Sequence, residues 1–145
     1  MKSLTLALFA LVVVGCAPSH KVTVDEMRTS PTTCYFWTRG IGTSWGTVEN
    51  GQAHLNGGFA PKQPMTFTGP TEIDMPGAWV KHPVGHYENH TLNVWNQIDV
   101  PITEHQSVVP GMFAGMKVEY NDRCTDRDAA LGVALMVLVA VGSSH

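Results

Sequence analysis

Fourteen consecutive residues near the end of the chain, residues 129–142, carry no charge. An apolar run of this kind is stable only where it is removed from water. As a helix it would be about 21 Å long, short of the roughly 30 Å hydrocarbon core of a bilayer. The run therefore favours a buried core element over a transmembrane span, with docking on a membrane or on a partner as the alternative.

The residues that precede this run predict that it begins as a helix. Thr125 and Asp128 have the spacing of a capping box, in which side chains bind the first free backbone N–H groups. Asp126 adds negative charge where the helix dipole favours it. Ala, Leu and Met are good helix formers, whereas the recurrent Val in residues 136–141 leaves a strand open there. We predict a C-terminal apolar helix over about residues 126–141.

The rest of the chain has a composition that favours strands and turns. Charged residues make up only 14% of the 145 residues, and the chain holds 14 Gly and 9 Pro. Gly and Pro mark turns, and short aromatic or β-branched runs between such turns are typical of strands. The sequence therefore predicts a mainly β fold, a small antiparallel sandwich or barrel-like domain, with one C-terminal apolar helix.

Two segments carry the clearest strand signals. Residues 34–38 are aromatic and are bounded by turn residues, and residues 91–100 alternate between apolar and polar. Asn50-Gly51 is a strong signal for a two-residue hairpin turn, because that turn needs positive φ at both positions. Residues 26–33 are predicted to form a loop. The other predicted strands are 21–25, 45–49, 52–55, 65–68 as an edge strand, 78–81, 106–109 and 115–120.

The beginning of the chain is a second apolar segment with a different pattern. Lys2 precedes an apolar core over residues 4–14, in which only Thr5 is polar, and small residues then lead to Cys16. A basic start, a short apolar core and a small-residue end are the pattern of a secretory signal. The core is shorter than the roughly 20 apolar residues of a membrane span.

The end of this segment, Val13-Val14-Gly15-Cys16, resembles the lipobox of bacterial lipoproteins. The resemblance covers only the first sixteen residues. It implies that residues 1–15 are removed as a signal peptide and that Cys16 carries a diacylglyceryl thioether, with palmitate among its acyl chains. Residues 16–20 would then be a short linker, and residues 21–145 a single β-rich domain.

The same resemblance implies a location in the cell envelope. Several acyl chains on Cys16 would hold the protein on a membrane, since each buried CH₂ contributes about 0.8 kcal/mol. Ala17 follows the cysteine, and no Asp stands there. In related lipoproteins this pattern implies export to the outer membrane, in its periplasmic or surface leaflet, rather than retention at the inner membrane.

With Cys16 assigned to lipid, Cys34 and Cys124 are the remaining cysteines. Thiols are expected to pair in an oxidising envelope compartment. A bridge between them would close a loop of about 90 residues and contribute roughly 4 kcal/mol in the chain-entropy model. Two separate buried thiols are the alternative interpretation.

His82, His86 and His90 are the candidate metal ligands. Three imidazoles at four-residue spacing are suitable ligands for zinc or copper. That spacing aligns side chains only on a helix, and a Pro and a Gly within the segment disfavour one. Surface histidines in a polar loop are the competing interpretation, so zinc or copper is an alternative and no cofactor is otherwise predicted.

Four tryptophans are candidate contact residues for a partner: Trp37, Trp45, Trp79 and Trp95. Exposed aromatic side chains dominate the energetics of protein interfaces. In a small β domain, however, such residues more often belong to the core. The sequence alone does not separate the two roles.

Charge and motifs disfavour two classes of function. The formal net charge is −3, or −4 once Lys2 is removed, and no basic cluster is present, which disfavours nucleic-acid binding. The chain has no HExxH motif, and we predict no catalytic residue and no enzyme activity.

The sequence thus supports two hypotheses. The first is a membrane-anchored, non-enzymatic envelope lipoprotein that binds or stabilises another envelope component, with a protein partner expected. It would be an accessory subunit of an envelope machine, or a phage- or plasmid-encoded surface lipoprotein. The second is a periplasmic metal- or small-ligand-binding lipoprotein that uses the loop of His82, His86 and His90.

The lipid anchor can be tested by metabolic labelling. Cells that express the wild-type chain with labelled palmitate are expected to yield labelled protein, and Cys16→Ala is expected to abolish the label because the thioether cannot form. Ala17→Ser, one residue further along, serves as the matched control and should keep the label. Label retained in Cys16→Ala would rule out this anchor.

Overall fold

The computed structural model describes residues 22–39, 44–56, 61–110 and 115–143. Within these residues, ten strands and two helices form an antiparallel, barrel-like sheet around the second helix. The elements are α1 (Val24–Thr29), β1 (Cys34–Thr38), β2 (Ser44–Glu49), β3 (Gln52–Leu55), β4 (Met65–Phe67), β5 (Glu72–Asp74), β6 (Gly85–Glu88), β7 (Thr91–Val94), β8 (Ile98–Pro101), β9 (Gln106–Val108), β10 (Lys117–Tyr120) and α2 (Asp126–Ser143).

The strands follow one another around the sheet in a nearly closed order. The sheet runs β8-β7-β6-β5-β4-β3-β2-β1-β10-β9, and every pair of neighbours is antiparallel. The edge strands β8 and β9 contact each other, which brings the two edges together. The predicted β class with a C-terminal helix is confirmed, and of the two predicted architectures the barrel is the one observed.

Helix α2 fills the interior of this barrel. Residues 129–138 are all buried, and the helix packs on β1, β2, β3, β4, β6, β7 and β10. A helix that is apolar on every side is stable only where it is surrounded. The 18 residues of α2 span about 27 Å. Among the described residues, no helix combines the length and the hydrophobicity that a membrane crossing requires.

Phe36 on β1 lies between the sheet and the helix and is fully buried. Its ring lies between two glycines, Gly132 in α2 and Gly46 in β2. A Cβ atom added at Gly132 would lie 2.7 Å from the ring, and one added at Gly46 would lie 2.6 Å from it. Glycine at both positions therefore lets the ring fill the space between the helix and the sheet.

The start of α2 is fastened to the sheet. The Asp128 backbone N–H donates to Thr125 Oγ1 and the Thr125 N–H donates to Asp128 Oδ2, each at 3.1 Å, which confirms the capping box. A disulfide joins Cys34 at the start of β1 to Cys124, with the Cα atoms 4.6 Å apart. The predicted bridge between these cysteines is also confirmed.

Asn121 connects this end of the barrel to α1. Its buried amide group donates to the carbonyls of Met27 at 2.7 Å and Thr33 at 2.8 Å, and its Oδ1 accepts from the Tyr35 N–H at 3.1 Å. Helix α1 thus lies against the outside of β1. The chain enters the fold along the side of the barrel.

The strand predicted over residues 21–25 and the loop predicted over 26–33 are both wrong in part, because α1 spans Val24–Thr29. Thr23 is its N-cap and accepts from the Glu26 N–H at 3.1 Å. The capping side chain and two acidic residues in the first turn favour a helix over the short alternation of valines. Residue 21 lies outside the described residues, as do residues 1–20 with Cys16.

The predicted strand over residues 91–100 is two strands, β7 and β8, joined at Trp95–Gln97. The apolar face was predicted correctly, since Leu92 and Val94 lie opposite Val100 and Ile98 and point inward. Residues 78–81 form a loop and not a strand, and β4 lies between β3 and β5 and not at an edge. The strands β5 and β6 were not predicted.

The contact between Gly132 and Phe36 predicts the effect of a small substitution. Alanine favours a helix over glycine by about 1 kcal/mol, but its methyl group would overlap the Phe36 ring, at a cost of roughly 1–3 kcal/mol. We expect Gly132→Ala to lower the free energy of unfolding, measured by urea denaturation. In a Phe36→Leu background the same substitution should cost less. A more stable Gly132→Ala protein would contradict this packing.

Candidate functional site

The two ends of the barrel differ: side-chain contacts surround the start of α2, and a cleft lies beside its end. Beside the start of α2, His90 lies 3.0 Å from Asp126, and Arg127 donates to the Pro70 carbonyl at 2.8 Å. Beside the end of α2 is a cleft of about 290 Å³. We call this cleft the mouth; it is lined by Trp79, Val80, Lys81, Trp95, Gln97, Leu138 and Val141.

One side of the mouth is the loop that joins β5 to β6. Its two ends are held in the core, since Met75 and Val84 are fully buried. After Met75 the chain makes a turn in which the Ala78 N–H donates to the Met75 carbonyl at 3.2 Å. Pro76 and Gly77, whose φ is +82°, occupy the positions that a type II turn reserves for these residues. The loop therefore has a defined shape.

His82 fastens this loop to the end of β5. Its Nδ1 lies 2.6 Å from Asp74 Oδ1, and its Nε2 lies 2.9 Å from the Ala78 carbonyl oxygen. Both partners are acceptors, so both contacts are hydrogen bonds only when each ring nitrogen carries a proton. The hydrogen bond to Asp74, followed by the one to Ala78, raises the pKa of His82 above its ordinary 6.5.

Trp95 fastens the loop from the other side. Its backbone N–H donates to the Val84 carbonyl at 3.0 Å, and its indole Nε1–H donates to the Lys81 carbonyl at 2.8 Å. Trp95 and Asn96 have φ of +51° and +58°, a region that bulky side chains rarely adopt. The turn between β7 and β8 therefore places a half-buried tryptophan where it holds the neighbouring loop.

Trp79 stands at the outer rim of the mouth and is fully exposed, at 103% of its reference surface. Val108 is the other large apolar side chain that is exposed in the described part of the chain, at 47%. Because His82 and Trp95 hold the loop on either side of it, Trp79 is presented to solvent by an ordered segment. With Trp95 and Val141 beside it at the mouth, this indole belongs to an apolar cluster at the surface, which is the feature that points to a binding surface.

The other two tryptophans have structural surroundings. Trp37 is buried, its Nε1–H donates to Glu119 Oε2 at 3.2 Å, and the Arg28 guanidinium lies 5.9 Å from its ring centroid. Trp45 is half-buried, with its ring centroid 5.8 Å from that of Tyr35. Of the four predicted contact residues, the structure thus brings Trp79 and Trp95 together at the mouth and places Trp37 and Trp45 elsewhere.

The three candidate histidines are paired with three different carboxylates. His82 contacts Asp74, His86 Nε2 lies 3.1 Å from Glu88, and His90 contacts Asp126. His86 lies in the extended strand β6, whereas His90 lies in the turn that follows it, so the two side chains are not aligned on one helix face. The described residues contain no group of three or more His, Cys, Asp or Glu side chains that could hold a metal ion.

At the end of the barrel opposite the mouth, two hydroxyl groups form a hydrogen-bonded pair that has a structural role. The Tyr120 hydroxyl donates to the Thr103 carbonyl, and Ser107 Oγ lies 2.9 Å from the Tyr120 oxygen. Since the single proton of Tyr120 goes to Thr103, Ser107 is the donor to Tyr120. The Tyr120 hydroxyl is protonated at neutral pH and therefore a donor, and burial raises its pKa further above the ordinary 10.

Comparison of the chain with protein-family models, with curated proteins and with solved structures found no match. The function is therefore inferred from the geometry of the barrel and its mouth. The sequence contained one signal for this site that was not used, the Pro76-Gly77 pair, which marks a type II turn two residues before Trp79. That turn favours a loop over the strand predicted there.

The geometry at His82 predicts a pH dependence. Because the folded state raises the pKa of His82, its stabilising effect on the loop is complete below pH 6.5 and is lost as the pH rises through the raised pKa. An NMR titration of the His82 ring should give a pKa above 6.5, and Asp74→Asn should lower it.

Glu88→Gln is the matched control for this titration, because it removes a carboxylate that contacts His86 and not His82. We expect it to leave the pKa of His82 where the wild-type protein has it. A wild-type value at or below 6.5 would contradict the pairing with Asp74.

Proposed function

We propose that this protein is a lipid-anchored envelope lipoprotein that acts as a non-enzymatic binding or structural accessory protein through the mouth of its barrel. The observation that carries the proposal is the exposure of Trp79 on a loop that is held in place on both sides. The lipobox-like end of the first segment, with Cys16, supplies the anchor in this proposal.

The filled interior supports a surface role. Small barrels that bind ligands inside keep an internal cavity for them. Here α2 takes that space, with residues 129–138 buried on all sides and Phe36 in contact with Gly132. Whatever the protein binds is therefore met from outside the barrel.

The organisation of the mouth supports recognition there. A loop that is already held in its bound conformation loses little conformational entropy on binding, and aromatic anchors supply most of the energy at contact surfaces. Trp79 and Trp95 are the aromatic pair of this cleft, and Leu138 and Val141 from the end of α2 add apolar surface beside them.

In the cell, this surface would contact another component of the envelope. The accessory role covers two settings, a subunit of an envelope machine and a phage- or plasmid-encoded surface lipoprotein, and the location is the outer membrane in its periplasmic or surface leaflet. The separation of His82, His86 and His90 gives no support to the metal-binding alternative.

Photocrosslinking in intact cells tests the proposal. A benzophenone amino acid in place of Trp79 is expected to form light-dependent adducts with an envelope component, identified by gel mobility and mass. The matched control places the same amino acid at Gln52, an exposed residue beside the turn at the opposite end of the barrel. Equal labelling at the two positions, or none at position 79, would refute a contact role for the mouth.

A further inference from the structure

We propose that the mouth contacts the membrane itself, with Trp79 inserted into the headgroup region of the bilayer to which the chain is anchored. The inference rests on the proposed function, because it needs the lipid on Cys16, and it names the occupant of the same surface. It makes the protein a two-point membrane binder, held by acyl chains at one point and by the loop between β5 and β6 at the other.

The side chains of the mouth have the chemistry of a membrane interface. Tryptophan concentrates at the level of the headgroups, where its ring is apolar and its N–H remains hydrated. Lys81 follows two residues after Trp79, and a lysine can lay its apolar stem along the interface while its ammonium group meets phosphate. The seven lining residues include this one cation and no carboxylate. Asp74, the nearest acid on β5, is engaged by His82.

The loop needs no rearrangement to reach a surface. Its turn at Gly77, the His82 contact with Asp74 and the hydrogen bond from the Trp95 indole all hold it in one conformation while Trp79 is fully exposed. A projecting aromatic residue on a fixed loop can enter a fluid interface without a shaped receptor. The surrounding apolar side chains would lie at the same depth or just above it.

The length of chain before α1 fits this arrangement. Five residues separate Cys16 from Val22, where the described chain begins, and the six Cα–Cα steps between them can span at most about 20 Å. Helix α1 lies on the side of the barrel, where Arg28 contacts Glu119. An anchor at Cys16 would therefore hold the start of the described chain within about 20 Å of the bilayer.

The size of the surface favours a bilayer over a folded partner. A stable protein interface buries roughly 800 Å² on each side. Trp79, the fully exposed indole of the mouth, can bury only about 150–250 Å². Insertion of a single side chain adds to a lipid anchor by raising the effective concentration of the second contact, so a small surface suffices.

Brominated lipids provide the test, because bromine quenches tryptophan fluorescence only at short range. The purified lipidated chain is reconstituted in vesicles of equal parts phosphatidylethanolamine and phosphatidylglycerol, brominated on the acyl chain close to the headgroup. We expect quenching in the wild-type protein, loss of most of it in Trp79→Phe, and no change in Trp45→Phe, the matched control on the side of the barrel. Thermal unfolding of the three proteins establishes that each is folded.

Flotation of the same vesicles distinguishes a failure of the membrane contact at Trp79 from a failure of the lipid anchor. Protein that floats with the vesicles but shows no quenching by bromine overturns the membrane contact and leaves the lipid anchor standing. Equal quenching in all three proteins also overturns it, since Trp79 would then have no special position. Protein that does not float removes the anchor, and the inference fails with the proposed function. Adducts at position 79 with an envelope protein in cells, together with absent quenching, would assign the mouth to a protein partner.

Discussion

The structure depends on the burial of one helix that has no polar face. Because α2 is apolar on all sides, it cannot lie on a sheet with one side in water, and the stable arrangement surrounds it. The Phe36 ring, set between Gly132 and Gly46, shows how closely the sheet approaches the helix. The near closure of the sheet between β8 and β9 and the occupation of the interior by residues 129–138 both fit the burial of this helix.

The filled barrel also has two different ends: a fixed end beside the start of α2, and a presenting end, which is the mouth. At the fixed end, the disulfide of Cys34 and Cys124, the capping box of α2 and the amide of Asn121 tie α1, β1 and α2 together. At the presenting end, the loop between β5 and β6 is held by hydrogen bonds from His82 and Trp95, which leaves Trp79 in solvent. The proposed role in binding, and the membrane contact inferred from it, both use this asymmetry.

Elements with strong local signals could be predicted from the sequence. The charge-free run and its capping box specified α2, and Asn50-Gly51 specified the hairpin between β2 and β3, where φ is +54° and +73°. The turns at Asn89-His90 and Trp95-Asn96 also need positive φ but contain no glycine. Their conformation depends on contacts made after folding, such as that of Trp95 with Lys81. This is why one strand was predicted where there are two, and why β5 and β6 were missed.

The candidate site could be predicted only in part, for a related reason. The sequence next to each of the four tryptophans does not distinguish a buried side chain from an exposed one. Only the assembled sheet shows that Trp37 faces α1 and that Trp79 faces solvent. The regular spacing of the histidines does not indicate a metal site, because His86 lies in the extended strand β6 and not in a helix. The disulfide was predictable because the assignment of Cys16 to lipid left two thiols to pair.

The enclosure of α2 is the central claim, and hydrogen exchange tests it most directly. In exchange followed by mass spectrometry, peptides that cover residues 129–138 should be as slow as the most protected strands and should open only with global unfolding. Exchange in this helix that is faster than in β1 and β2 would mean that it lies at the periphery, and would contradict the barrel described above.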